Sequence, residues 1–463
     1  MADVENNSNY IKFITENMSK TIEVSKISTD IDTIRYEIID NTGLHLFKNA
    51  RVEAWVKYHH METLGFSPAG LPESILALPI ILYLMPITWF YGVDLLVPSI
   101  DKQLHDTLPA IYRTYSKIYG PFEEKWRGRI IAKSIVKNEM PKNRFDKIVF
   151  FSGGVDAVHA GIDNPGKKSV LVTVPSIEAM DENNLESLGK FFLQSKTRLI
   201  REFSNVSGSD WLMVTNNFRT DIFDDKRIQN DLERHFGLNS SAFRFDGWFG
   251  MKYLGNLLSS APFAYAMGIK ELILGSSYEQ LENIPTINLD GSNPELTDSI
   301  KFAEVSFAQQ DGLYTRRSQK VMDIVRKCNE WKKKIDIWVC FGDNLEQCGI
   351  CAKCIRTQLS LLCANENPVN WGFSHYNEKK FIHIVRSYRY QENNPCWIWD
   401  IVDSIEDDKY YPYCDELLHW LKRLGYKKYF RRVKIAIQMR RLCKFYKYPY
   451  YAKVVLAKLT RMN

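Results

Sequence analysis

The sequence predicts an α/β protein built on a parallel sheet. Three observations lead there. Between Lys147 and Cys340, short apolar runs alternate with segments of helical spacing. That is the pattern of strand–helix–strand units in a sheet covered on both faces. The first apolar run, Ile148-Val149-Phe150-Phe151, ends in Ser152-Gly153-Gly154-Val155-Asp156. Glycines at a strand end permit a sharp turn into a following helix. Last, Cys340, Cys348, Cys351 and Cys354 cluster where the alternation stops, at a spacing that closes on one metal ion.

Taken in order, residues 1–70 contain alternating strand-like runs, Ile34–Ile39 and Phe47–Tyr58, before Pro68 and Pro72 mark a break. Residues 71–145 read as mostly helical and end in the polar stretch Asn138–Asp146. Ile148–Phe151 is the first core strand, and Val155–Ile162 opens a helix. Ser169–Val174 is the second strand, Asn184–Glu202 a helix, and Trp211–Thr215 the third strand. Met251–Met267 is a helix closed by Gly268, and Glu271–Gly275 is the fourth strand. Gln319–Lys332 is helical and Ile335–Cys340 is the fifth strand. Ligands of such sheets bind at the carboxyl ends of the strands, which places Ser152, Ser276 and Cys340 at or near one edge. Beyond about Asn365 the chain is helical and aromatic, with Trp371, Trp397, Trp399 and Trp420. Three regions follow: 1–145, 146–365 and 366–463.

Composition bounds the function. A chain of 463 residues with 45% hydrophobic and 25% charged residues can bury a large core in two or three domains. The polar opening Met-Ala-Asp-Val-Glu-Asn-Asn does not read as a secretory signal, and nine cysteines with four clustered suit a reduced compartment. A cytoplasmic protein is expected. Ser74–Val93 carries no charge, but Pro79 and Pro86 interrupt it and Glu73 and Asp94 flank it. Buried helices, not a membrane span, are expected. The net charge of +6 divides into +14 over Leu421–Asn463 and −8 elsewhere. A solvated helical tail satisfies that run. So does contact with nucleic acid or an acidic protein, and a membrane surface suits it less well.

The Ser152–Asp156 loop is built for phosphate. Successive N–H groups converge at a helix N-terminus, where an anion is favoured, and the Ser152 hydroxyl adds a donor. Asp156 beside a phosphate makes sense when a metal ion or a nucleotide hydroxyl is also bound. The loop is not the Gly-x-x-x-x-Gly-Lys-Ser/Thr pattern. An ordinary strand-to-helix turn of small residues would read the same.

The four cysteines suit a tetrahedral zinc ion, whose site would contribute to local folding. An iron–sulfur cluster also takes four cysteines, and free thiols are the non-metal reading. Cys328, Cys363, Cys396, Cys414 and Cys443 are expected as small core residues.

The loop resembles the PP-loop of the N-type ATP pyrophosphatases, Ser-Gly-Gly-x-Asp-Ser, with Ala157 in place of the second serine. With Cys-x7-Cys-x2-Cys-x2-Cys downstream, the layout over roughly residues 145–365 is similar to QueC-like proteins. Their namesake is the 7-cyano-7-deazaguanine synthase of the queuosine pathway. Thr315-Arg316-Arg317-Ser318-Gln319-Lys320-Val321 stands where that family carries a Lys-containing helix start, and Cys351-Ala-Lys-Cys354-Ile-Arg356 matches its Cys-x-x-Cys-x-x-Arg ending. The long flanking regions make the chain more similar to the enlarged QueC-like proteins of bacterial anti-phage operons (Qat and type IV CBASS). Two departures concern the substrate. Pro175-Ser-Ile-Glu178 does not match the family's Tyr-x-Gln, and its Arg-Asn pair has no clear equal, with Lys252 and Asn256 nearby.

The resemblance implies a Rossmann-like (HUP/PP-loop) core and ATP-dependent adenylation of a 7-carboxy-7-deazaguanine-type carboxylate. Pyrophosphate leaves, and an amide or nitrile forms. Ser152, Asp156 and Lys320 would be catalytic. Ser152, Gly153, Gly154, Val155, Asp156, Ser276, Arg316 and Arg317 would hold ATP with Mg²⁺, and the four cysteines Zn²⁺. For Arg316, Arg317 and Lys320 a solvated helix face is the plain reading, for Ser276 a strand-end cap. His159 reads as a packing histidine before a base. The acceptor would be ammonia or a partner protein from the same operon, conjugated to the deazaguanine in antiviral defence. A PP-loop tRNA-modifying enzyme and a non-catalytic, zinc-stabilised scaffold are the competing readings.

Overall fold

The computed structural model describes residues 20–119, 128–175, 185–218, 222–236, 252–276, 292–308, 310–313, 315–340, 347–388 and 396–446. The expected features on 176–184 and 447–463, including the end of the basic tail, lie outside them. The chain divides into two compact units. One comprises residues 1–152, 163–278 and 287–313, and the other 153–162, 279–286 and 314–463.

The first unit is α/β with a mostly parallel sheet. Its eleven described strands are β1 (Thr21–Thr29), β2 (Thr33–Asp40), β3 (Arg51–His59), β4 (Asp94–Asp101), β5 (Ile130–Val136), β6 (Lys147–Phe150), β7 (Ser169–Thr173), β8 (Asp210–Asn216), β9 (Glu271–Ile273), β10 (Lys301–Phe302) and β11 (Val305–Phe307). They lie in the order β10-β11-β9-β6-β7-β8-β3-β2-β1-β4-β5. Strands β11, β9, β6, β7 and β8 run parallel, β8 to β1 alternate through antiparallel pairs, and β1, β4 and β5 are parallel again. One sheet therefore joins strands from both sides of residue 145.

The patterning explains this order. β7 is buried at all five positions, as expected for a strand covered on both faces. In β2 and β3 one face buries Ile34, Tyr36 and Ile38 against Ala54 and Val56. The other carries Arg35, which meets Glu53 at 3.0 Å.

Residues 71–145 hold the helices Glu73–Leu76, Leu78–Tyr91 and Lys102–Tyr119, as expected, but also the unexpected strands β4 and β5. Pro98 lacks a ladder N–H and argues locally against a strand. Tertiary pairing overrides it, because β4 sits between β1 and β5 and is largely buried. The uncharged stretch folds as two helices, Glu73–Leu76 and Leu78–Tyr91, and residues 78–90 are all buried. Burial on every side replaces amphipathic patterning there. Among the described residues no helix is long and apolar enough to cross a membrane.

The second unit is helical. It holds α1 (Val155–Asp163, the last residue in the first unit), α2 (Arg317–Glu330), α3 (Ala352–Cys363), α4 (Glu378–Arg386), α5 (Cys396–Asp403), α6 (Asp415–Leu424) and α7 (Tyr426–Tyr446). Its core includes Ile355, Leu359, Leu362, Ile398, Ile401, Leu417, Leu421 and Tyr429. On α7, Tyr429, Val433 and Ala436 are buried at helical spacing, while Lys427, Lys428, Arg431 and Lys434 are exposed.

Ile335–Cys340 corrects the expected fifth strand. The segment is extended and buries alternate residues, but among the described residues it joins no sheet. Its backbone groups find other partners. Ile337 N–H donates to Trp371 O at 3.2 Å, Trp338 N–H to Gly153 O at 2.6 Å, and Val339 N–H to Gln347 Oε1 at 3.0 Å.

Candidate functional site

β6 lies between β7 and β9, parallel to both. Ladder bonding continues one residue further, with Phe151 N–H donated to Val172 O at 2.8 Å. Gly153 then takes φ +82°, a left-handed conformation that costs glycine little and other residues more. The first helical bond of α1 is Val158 N–H to Gly154 O at 2.9 Å. The N–H groups of Val155, Asp156 and Ala157 precede it and have no acceptor within the helix. A strand end, a left-handed glycine and a helix start thus follow one another as predicted. Ser152 is exposed, whereas Ala157 is buried.

In the first unit, the β6–β9 register pairs Lys147 with Glu271 and Val149 with Ile273. Carried forward, it sets Ser276 level with Ser152. Ser276 is fully buried and donates its N–H to Asp311 O at 2.9 Å. Lys196, on the helix Leu185–Ser207, donates to Ser152 O at 2.8 Å. Burial pushes the Lys196 ammonium down to about 8. Lys252 is buried and paired with Asp225 at 2.6 Å, and Asn256 is buried one turn on.

In the second unit, Asp156 meets two cations from the first turn of α2. Lys320 Nζ lies 2.9 Å from Oδ1 and an Arg317 terminal nitrogen 3.3 Å from Oδ2. The side chains of Lys320, Arg317 and Asp156 are 0%, 10% and 18% exposed. Arg317 Nε is buried with no hydrogen-bond partner among the described residues. Burial raises the Asp156 pKa, but Arg317, Lys320 and the charge of Lys353 outweigh it and hold the carboxyl below the usual range. The sign follows. A carboxyl lowered on folding contributes stability above its unfolded pKa, and loses it as pH falls through the folded value. Wild type is therefore expected to exceed Asp156→Asn in unfolding free energy at neutral pH. The gap should close below about pH 4, read from urea melts across pH. A gap that does not vary with pH would show that the Asp156 charge is not the source.

The other candidates take different places. Arg316 is half-exposed and bridges Asp403 at 3.0 Å and Asp400 at 3.5 Å. Asp400 is buried, and burial raises its carboxyl against the pull of Arg316. His159 is buried on α1 with Asp323 at 3.7 Å.

The four cysteines converge. The Sγ atoms of Cys340, Cys348, Cys351 and Cys354 all lie within 4.8 Å of one another. Cys348 and Cys354 are 3.8 Å apart, which matches the sulfur spacing of about 3.8 Å around a tetrahedral ion with zinc–sulfur bonds of about 2.3 Å. An iron–sulfur cluster sets the thiolates on different iron atoms and spreads them further. The Cys351 N–H donates to Cys348 Sγ at 3.3 Å. Hydrogen bonds with Cys340 and Cys351, then burial, hold the Cys354 thiol well above its usual range. A bound cation reverses that balance. The donor set fits one soft, tetrahedral metal ion such as zinc. Cys328, Cys363 and Cys414 are buried elsewhere. The side chains of Cys396 and Cys443 lie outside the described residues.

Four residues at these sites gave no signal in the sequence. Lys196, Gln347 and Lys353 are ordinary polar residues whose partners lie far along the chain or across a loop. Asp400 shows itself only through burial. No protein-family model matches this chain, and no curated protein matches it.

Proposed function

We propose that the chain is a QueC-like, ATP-dependent enzyme that activates a carboxylate as its acyl adenylate. The observation that carries the reading is the left-handed Gly153 turn between β6 and α1, with Asp156 set beside Lys320 and Arg317. Donors that precede the first helical bond suit a pyrophosphate group. Two buried cations within one helical turn suit its charge.

The chemistry follows from the leaving group. A carboxylate oxygen attacks the α-phosphorus of ATP, and the bond to the β-phosphate oxygen breaks. Pyrophosphate leaves with its electron pair, in the charge field of Lys320 and Arg317. An amine nitrogen then attacks the acyl carbon, the bond to AMP oxygen breaks, and the amine proton passes to water. Such a reaction depends on positioning and on neutralised phosphate charge. Mg²⁺ would accompany the ATP, with Asp156 ordering it directly or through water. A deazaguanine-type acid is the proposed substrate, and a protein partner from the same operon the proposed acceptor. The four-cysteine site is assigned zinc.

The test is pyrophosphate release from ATP in the presence of 7-carboxy-7-deazaguanine, with and without the neighbouring gene products. Release that depends on the acid is expected. No release under any of these conditions would reject adenylation. The exposed cations of α7 favour a second reading, a PP-loop enzyme acting on tRNA. Tight, salt-dependent tRNA binding without acid-dependent pyrophosphate release would select it.

A further inference from the structure

The Gly153 turn and the four-cysteine centre of the second unit share a backbone connection. The stretch Ile337–Cys340 ends in one of the four clustered cysteines and, among the described residues, has no strand partner. Two residues before Cys340, Trp338 donates its N–H to Gly153 O at 2.6 Å. Gly153 is the residue whose left-handed φ turns the loop.

One side chain holds the stretch on both sides of Trp338. Gln347 is 5% exposed and makes three hydrogen bonds. Its Oε1 accepts from Val339 N–H at 3.0 Å. Its Nε2 donates to Ile337 O at 2.8 Å and to Gly372 O at 3.0 Å. Gln347 directly precedes Cys348. The two ligands Cys340 and Cys348 therefore bracket the groups that fix Trp338.

We propose that Gln347 and Trp338 are positioning residues that couple the four-cysteine centre to the anion site at Gly153–Asp156. Cys340 and Cys348, drawn to one metal ion, pin both sides of the Ile337–Cys340 stretch. Trp338 then fixes the Gly153 carbonyl, and with it the direction of the N–H groups that follow. The inference rests on the reading that this turn binds phosphate. Its content is thermodynamic: metal loading and anion binding favour each other, by the same factor in each direction.

A purely structural metal makes a different prediction. It would raise stability without changing the anion affinity of the folded protein. The experiment uses the full chain and two measurements. The first is calorimetric titration of the metal-loaded protein with pyrophosphate and with Mg-ATP, for wild type, Gln347→Ala and Arg317→Ala. The second is zinc affinity of wild type by competition with a chromophoric chelator, with and without saturating Mg-ATP.

Gln347→Ala retains all four ligands and is expected to keep its zinc while binding pyrophosphate about tenfold more weakly. Mg-ATP is expected to tighten zinc binding by a similar factor. The second measurement needs no variant, so it decides even if Gln347→Ala fails to fold. Unchanged zinc affinity with Mg-ATP bound overturns the inference. So does a zinc-loaded Gln347→Ala protein that binds pyrophosphate like wild type. If Arg317→Ala weakens binding in the same series, the phosphate reading survives that result. If metal-loaded wild type binds neither ligand, both fall together.

Discussion

Replacing Lys320 by methionine is expected to destabilise the protein by about 3 kcal/mol and to lower pyrophosphate release about a hundredfold or more. The Lys320 side chain is wholly buried, and its ammonium sits 2.9 Å from Asp156. Methionine has similar length and fills the space, so the loss is electrostatic. It leaves a carboxylate that is 18% exposed, still paired with Arg317 at 3.3 Å. Breaking a buried pair costs more than removing both members, because the survivor stays desolvated. The double variant Lys320→Met/Asp156→Asn should therefore recover part of the stability and none of the activity. Urea unfolding with an unchanged denaturant slope measures the first effect. Acid-dependent pyrophosphate release measures the second. If Lys320→Met unfolds within about 0.5 kcal/mol of wild type, the pair is not a significant part of the fold.

The second large effect concerns the four-cysteine centre. Cys354→Ser is expected to reduce bound zinc from about one per chain to a small fraction, and to lower the midpoint of thermal unfolding by about 10 °C. Cys354 is fully buried, and its sulfur lies 3.8 Å from Cys348 Sγ. Serine supplies a harder, far less acidic donor and leaves three thiolates to hold the ion. Without a cation the Cys354 thiol resists ionisation, so the energy of the centre depends on the metal. Cys363→Ser is the control. Cys363 is equally a buried cysteine but stands outside the cluster. It should keep its zinc and lose only the smaller stability due to an altered core contact. A chelator should shift wild type to the Cys354→Ser midpoint and leave that variant where it is. Metal analysis and calorimetry read both. Full zinc content in Cys354→Ser would remove Cys354 from the ligand set.

Some of this was legible because it is local. A glycine pair behind an apolar run allows few backbone paths, and the turn at Gly153 takes one of them. Three cysteines within seven residues need little chain closure to meet, so their convergence follows from spacing. Elements that depend on their neighbours were harder. Pro98 hides β4 because the rule against proline in strands is local, while the pairing with β1 and β5 is not. Ile335–Cys340 has a strand's alternation of burial, yet a side chain, Gln347, bonds its backbone where a neighbouring strand would. Alternation reports which residues are buried. It does not report what the backbone is bonded to.

The sequence by itself determined where the chain turns, which cysteines gather, and which residues carry charge, since each depends on a few bonds along the backbone. Only the tertiary structure decided which charges meet. Asp156 reaches Arg317 and Lys320 across 161 and 164 residues, and Trp338 reaches back to Gly153. Contacts of that span are set by how the helices of the second unit pack. A side chain's own identity carries no record of the partner that packing brings to it.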